Sequence, residues 1–226
     1  MNNIVDFKKP KPSNQPPLKE PPLINLPPAT KYLLILIISI HLALSFGVSD
    51  ETHGYILFNY GFTPAIWTGQ SAYGFDMNAL VSPLSYIVLH GGFMHLFMNA
   101  AMLMAFGAGV EKWMGAKRFI IFFFLCGIAA AFVEMIIHPF SEFPVIGASG
   151  AESGLFAAIL ILLQRQGQLP TGKYGIWPFA AFWIILSIIL GFVGGQLMGG
   201  EIAWAAHLGG FIAGFALLKL NYFRVS

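Results

Sequence analysis

The sequence predicts an all-α membrane protein whose chain crosses the bilayer as six helices. Of its 226 residues, 57% are hydrophobic, 15% aromatic and 10% charged, with a mean hydropathy of +0.72. Soluble domains carry about 25% charged and about 45–50% apolar residues, so the polar surface needed to coat a globule of this size is missing. Apolar stretches of about 17–22 residues recur along the chain, each matching the roughly 20 that cross a hydrocarbon core of about 30 Å. The third observation is that every basic residue falls on one side of that threading. A net charge of +2 offers nothing to nucleic acid, and the single cysteine, Cys126, excludes an internal disulfide framework.

Residues 1–30 hold repeated prolines and few large apolar groups, which predicts a flexible, uncleaved cytoplasmic tail. Residues 31–226 form the membrane domain, with helices expected over 32–48, 92–110, 119–137, 147–163, 177–198 and 202–220. The second helix needs an internal boundary: an apolar run from Leu84 to Val110 would span about 40 Å, and the Gly91–Gly92 pair is the natural break. With the N-terminus inside, Lys8, Lys9, Lys11, Lys19, Lys31, Lys112, Lys117, Arg118, Arg165, Lys173, Lys219 and Arg224 are all cytoplasmic. The outer loops carry Asp50, Glu51, Asp76, Glu142 and Glu201, the asymmetry of an N-in, C-in protein. The long first loop, 49–91, holds Tyr55, Phe58, Tyr60, Phe62, Trp67, Tyr73 and Phe75, and is expected to lie half-submerged at the outer interface.

Polar side chains at membrane depth cost a few kcal/mol, so each is a functional candidate. Counted upward from the basic residue that closes each helix, Ser149 stands at about 24 Å, His95 about 26 Å, Asn99 about 20 Å and His207 about 18 Å. Three helices thus bring four polar groups to one layer, roughly 5–12 Å below the outer face. Their chemistry is complementary. A serine hydroxyl needs a base, and neutral histidine suits that task near physiological pH, which assigns Ser149 as nucleophile and His207 as base. His95 and Asn99, four residues apart on one helix face, with the Ser149 amide at a helix start, could receive an oxyanion.

Each piece alone has a plainer reading. A Gly-Ala-Ser-Gly run is usually a packing motif, a lone intramembrane histidine often joins two helices, and an asparagine can do the same. His41, Glu134 and His138 show no evident partners in the sequence and read as structural. Glu152, three residues after Ser149, either faces the same cavity or binds backbone amides at the helix start.

In order and spacing, HGGFMHLFMN (His90, His95, Asn99), GVEKWMG (Glu111, Gly115), GASG (Ser149) and AHLGGFIAG (His207, Gly210, Gly214) resemble the rhomboid family of intramembrane serine proteases. The resemblance covers about residues 55–216. It implies a six-helix rhomboid-like bundle, a Ser149–His207 dyad with no third acidic member, and an oxyanion site from the Ser149 amide, His95 and Asn99. It also implies supporting roles for His90, Gly147 and Gly150, a structural Glu111, and a lateral gate between the second and fifth helices. At two positions the chain departs from the family's pattern. Val81 and Ser82 stand where many rhomboids carry a Trp-Arg pair, and Ser153 stands where an aromatic residue often stacks on the histidine, leaving His207 to be oriented by another group.

The expected function is therefore an intramembrane serine endopeptidase that cuts transmembrane segments of single-pass or multi-pass membrane proteins near the outer leaflet. No cofactor, metal or nucleic acid is expected. The expected location is multi-pass in a bacterial inner (plasma) membrane. Two other classes compete: a non-catalytic rhomboid-like protein that escorts transmembrane helices, and a transporter. A transporter would commonly show internal repeats, which the first and last three spans lack.

Overall fold

A computed structural model describes residues 26–169, 173–198, 203–220, 222 and 223, of which 190–198 are described by their backbone. Most of the tail predicted over 1–30, with Lys8, Lys9, Lys11 and Lys19, lies outside the described residues, as do Glu201 and Arg224. Among the described residues the architecture is all-helical, without strands beyond one isolated antiparallel bridge between Phe62 and Val145.

Helix α1, Pro28–Gly47, starts inside the segment read as tail, because a proline in the first turn has no N–H to leave unsatisfied and its φ is already helical. The first loop contains α2 (Asp50–Tyr60), α3 (Pro64–Trp67), a 3-10 turn over Met77–Val81 and α4 (Ser82–Ser85). The second long helix begins at Phe93, just after the predicted glycine break. It runs as α5 (Phe93–Met102), a π-helical stretch over Leu103–Gly107, and α6 (Ala108–Met114). Gly115, at φ +84°, reverses the chain into α7, Ala116–Ile137. Then follow α8 (Ser149–Arg165), α9 (Trp177–Met198) and α10 (Trp204–Leu217).

Among the described residues, three helical runs are long and apolar enough to cross a membrane: Pro28–Gly47, Phe93–Met114 and Ala116–Ile137. Large apolar side chains such as Tyr32, Phe46, Phe97 and Phe182 stand exposed on the outside of the bundle, where lipid rather than water can cover them. The centre is built differently. Helix α10 packs on α7 and α8 through small residues: a Cβ added to Gly210 would collide with the Gly150 carbonyl, and one on Gly214 would sit 2.7 Å from the Gly154 carbonyl. Such backbone contact between helices is what a small-xxx-small stripe permits.

The first loop is more deeply seated than its aromatic content suggests. Phe62 is fully buried, stacked on Trp67 and edge-on to Phe132, so it is a core residue and not an interfacial one. Its backbone is tied to Val145 by two hydrogen bonds of 2.9 and 3.0 Å, which holds it inside. Tyr86 is buried too, its hydroxyl donating to the Gly127 carbonyl at 2.6 Å. Tyr55, Tyr73 and Phe75 remain exposed. Where the resemblance would place a Trp-Arg pair, buried Ser82 instead accepts a hydrogen bond from the Trp67 indole at 3.2 Å.

Candidate active site

One end of the bundle gathers the starts of α5, α8 and α10 together with the end of α7. Ser149 is the first residue of α8, and His207 lies in the first turn of α10. His207 Nε2 is 2.8 Å from Ser149 Oγ, a contact between residues 58 apart in the chain. With Nε2 unprotonated, the serine hydroxyl donates to it, the arrangement a general base requires. Ala148 before Ser149 offers no side-chain cap, so the Ser149 N–H is among the unsatisfied donors of the helix start and carries its positive end.

Gly147 has φ +106°, and a Cβ there would lie 2.5 Å from His95 Nε2. The imidazole of His95 therefore rests on the backbone just ahead of Ser149, and only glycine leaves it room. Gly147 is itself anchored, its N–H donating to the Tyr86 carbonyl at 2.9 Å. Gly150 has Ala130, Tyr86 and Ala206 around the place a Cβ would occupy. Asn99 is buried beside His95, with its Nδ2 donating to the His95 carbonyl at 2.8 Å and its Oδ1 without a hydrogen bond among the described residues. The helix carbonyl four residues back thus competes for the amide that the sequence assigns to an oxyanion.

His90 sits in the turn before α5, buried, with its ring centroid 5.2 Å from that of His95. Burial, reinforced by His95 and His41, holds the imidazole of His90 down at about 3, so it is neutral at physiological pH. Ser153 does not reach towards the base, since its hydroxyl donates back to the Ser149 carbonyl at 2.9 Å.

Three residues read as partnerless have partners. His41 Nδ1 is 3.2 Å from the His90 carbonyl, joining α1 to the turn before α5. Glu134 accepts the Ala206 N–H at 2.8 Å through Oε2, and its Oε1 lies 2.6 Å from His138 Nδ1. The pairs are 49 and 72 residues apart, beyond any local pattern, although the four-residue spacing of Glu134 and His138 was visible in the sequence. Glu152 is fully buried, and neither carboxylate oxygen has a hydrogen-bond partner among the described residues, so it does not bind the amides of its own helix start. Glu111, at the far end of the second long helix, accepts from the N–H groups of Ala29 and Thr30 and from the Thr30 hydroxyl at 2.7–2.9 Å.

Comparison with known proteins agrees with the motifs. The family model described as the Rhomboid domain matches residues 78–222. RHOMBOID-like protein 5 of Arabidopsis thaliana is 32% identical over 134 residues, 59% of this chain and 41% of that protein. Rhomboid protease GluP of Bacillus subtilis is 31% identical over 150 residues, covering 64% of this chain and 28% of that protein. Inactive RHOMBOID-like protein 8 of Arabidopsis thaliana is 29% identical over 125 residues, 55% of this chain and 33% of that protein. The chain thus matches well under half the length of these relatives.

Proposed function

From the membership of this chain in the rhomboid family, whose domain model spans residues 78–222, we propose that it is an intramembrane serine endopeptidase with Ser149 as nucleophile and His207 as general base. The observation that carries the reading is the 2.8 Å contact between His207 Nε2 and Ser149 Oγ. The full reading has six transmembrane helices, both termini cytoplasmic, and the Ser149 end of the bundle facing the outer leaflet, because the basic residues cluster at the opposite ends of the helices. Its substrates are transmembrane segments of other membrane proteins, and its membrane is a bacterial inner membrane.

The chemistry follows from the groups in place. His207 takes the hydroxyl proton as Ser149 Oγ bonds to the carbonyl carbon of the scissile peptide. The resulting oxyanion lies against the Ser149 N–H and His95, with Asn99 joining once its amide turns from the His95 carbonyl. His207 then gives the proton to the leaving amine, and water, activated by the same imidazole, hydrolyses the acyl-enzyme. A peptide bond inside a helix is shielded and its carbonyl already hydrogen-bonded, so a substrate segment with helix-breaking Gly or Pro is cut fastest.

Purified protein in lipid vesicles is expected to cleave a transmembrane reporter and to be labelled on Ser149 by a fluorophosphonate. Ser149→Ala and His207→Ala should each abolish cleavage, leaving less than about one part in a thousand. Cleavage retained by Ser149→Ala would overturn the assignment. The similarity to a relative named as inactive supports a second reading, a helix-binding protein without hydrolysis. That reading predicts reporter binding with neither cleavage nor labelling.

A further inference from the structure

The base of the proposed reaction needs a fixed orientation, and the usual means is absent. Ser153 is bonded to its own helix, and among the described residues the hydrogen bond of the His207 ring is the one to Ser149. What is fixed is the backbone on both sides of His207: α8 meets it at Gly210, through the Gly150 carbonyl, and α7 holds it both before and after the histidine. Helix α10 is preceded by Ala203, whose side chain cannot cap, so its first N–H groups need an acceptor from elsewhere. Glu134 provides one: Oε2 accepts from the N–H of Ala206, the residue immediately before His207, at 2.8 Å. Two residues after His207, Gly209 is pressed on the same stretch of α7, where an added Cβ would lie 2.6 Å from Val133 Cβ and 3.1 Å from Ala130 Cα. The other oxygen of Glu134 is held by His138 Nδ1 at 2.6 Å, and the His138 ring meets Trp204, the first residue of α10, edge-on at 5.7 Å. The Glu134 side chain is 7% exposed, which shields its bond to the Ala206 N–H from water, whereas the His138 side chain is 38% exposed.

We propose that Glu134 is the positioning residue of the general base: through the Ala206 N–H it sets the first turn of α10 and so the place of His207 Nε2 at Ser149 Oγ. This rests on the peptidase reading. A carboxylate at a helix N-terminus is favoured by the unsatisfied N–H groups it meets, and a bond to a charged acceptor is stronger and shorter than a neutral one. The base is thereby aligned through its backbone rather than by a ring stacked on its side chain, which accounts for the tolerance of serine at position 153.

The test uses the full chain in lipid vesicles, with kcat, KM and the fluorophosphonate labelling rate measured per folded molecule. Glu134→Ala is expected to lower kcat and the labelling rate about 10- to 100-fold, as a displacement on the order of 1 Å does, with KM held within about twofold. Glu134→Gln keeps an acceptor for the Ala206 N–H and should recover to within about threefold of wild type. His138→Ala leaves that acceptor but frees its second oxygen, and should cost about three- to fivefold. Should Glu134→Ala fail to fold, Glu134→Asp, which shortens the reach, takes its place with the same expected loss. Wild-type kcat in either variant, or a loss carried by KM and thermal stability alone, overturns the proposal. Failure of the peptidase reading is seen separately, as wild-type protein without Ser149-dependent labelling. In that event the nitrogen-15 resonances of the His207 ring decide: they shift in Glu134→Ala if the carboxylate sets the ring, and their staying in place refutes it.

Discussion

Glu111 and Glu134 perform the same physical act at opposite ends of the bundle, with different consequences. Each is a buried carboxylate that closes the start of a helix to which it does not belong. Each does so because that helix cannot cap itself: α1 is preceded by Pro27, and α10 by Ala203. Glu111 takes three hydrogen bonds from Ala29 and Thr30, and α1 carries no group of the Ser149–His207 pair. Glu134 takes one backbone bond, but the next residue along is His207. A cap is therefore a stabilising device or a positioning device according to what its helix presents one residue later. Glu152, a third buried glutamate without a partner among the described residues, marks what both caps avoid.

The comparison can be broken in measurable ways. Glu111→Ala strands three donors and is expected to lower stability by about 3 kcal/mol, read from reversible unfolding in mixed micelles, while turnover per folded molecule stays within about twofold of wild type. Glu134→Ala should invert that pattern, losing about 10- to 100-fold in kcat with the smaller loss of stability. If the two variants lose activity in proportion to stability, the distinction fails. Thr30→Val, which removes only the hydroxyl bond to Glu111, sharpens it: about 1 kcal/mol of stability should go and kcat should not move. The smallest effect on stability is that of His138→Ala, which by loosening only the second oxygen of Glu134 should leave the unfolding midpoint within a degree or two, about 0.5 kcal/mol. A midpoint drop as large as that of Glu111→Ala would make His138 a structural residue.

The parts of the site legible in the sequence share one property, which is that helices act as rulers. Heights counted from basic residues bring Ser149 and His207 to one layer because rise per residue is constant, and the structure places them 2.8 Å apart. The same count brings His95 and Asn99 to the layer but says nothing of rotation about a side-chain bond, so the engagement of the Asn99 amide with the His95 carbonyl was not visible. Phe62 reads as an interfacial aromatic because composition cannot distinguish lipid interface from protein core. Glu134 was the deepest miss. The lack of a cap at Ala203 is written in the sequence, whereas the identity of the acceptor 72 residues away is not.

By itself, then, the sequence determined the solvent, the family, the helical periodicity and the residue types that meet near one end of the bundle, since hydropathy, charge and spacing are local properties and a membrane converts them into depth. Tertiary structure alone decided which backbone donors the buried carboxylates of Glu111 and Glu134 satisfy and how the amide of Asn99 turns. The physical reason is that a hydrogen bond needs its partners placed to a few tenths of an ångström. For Glu134 and Ala206 that placement comes with glycines on α10 that let it lie close against α7 and α8.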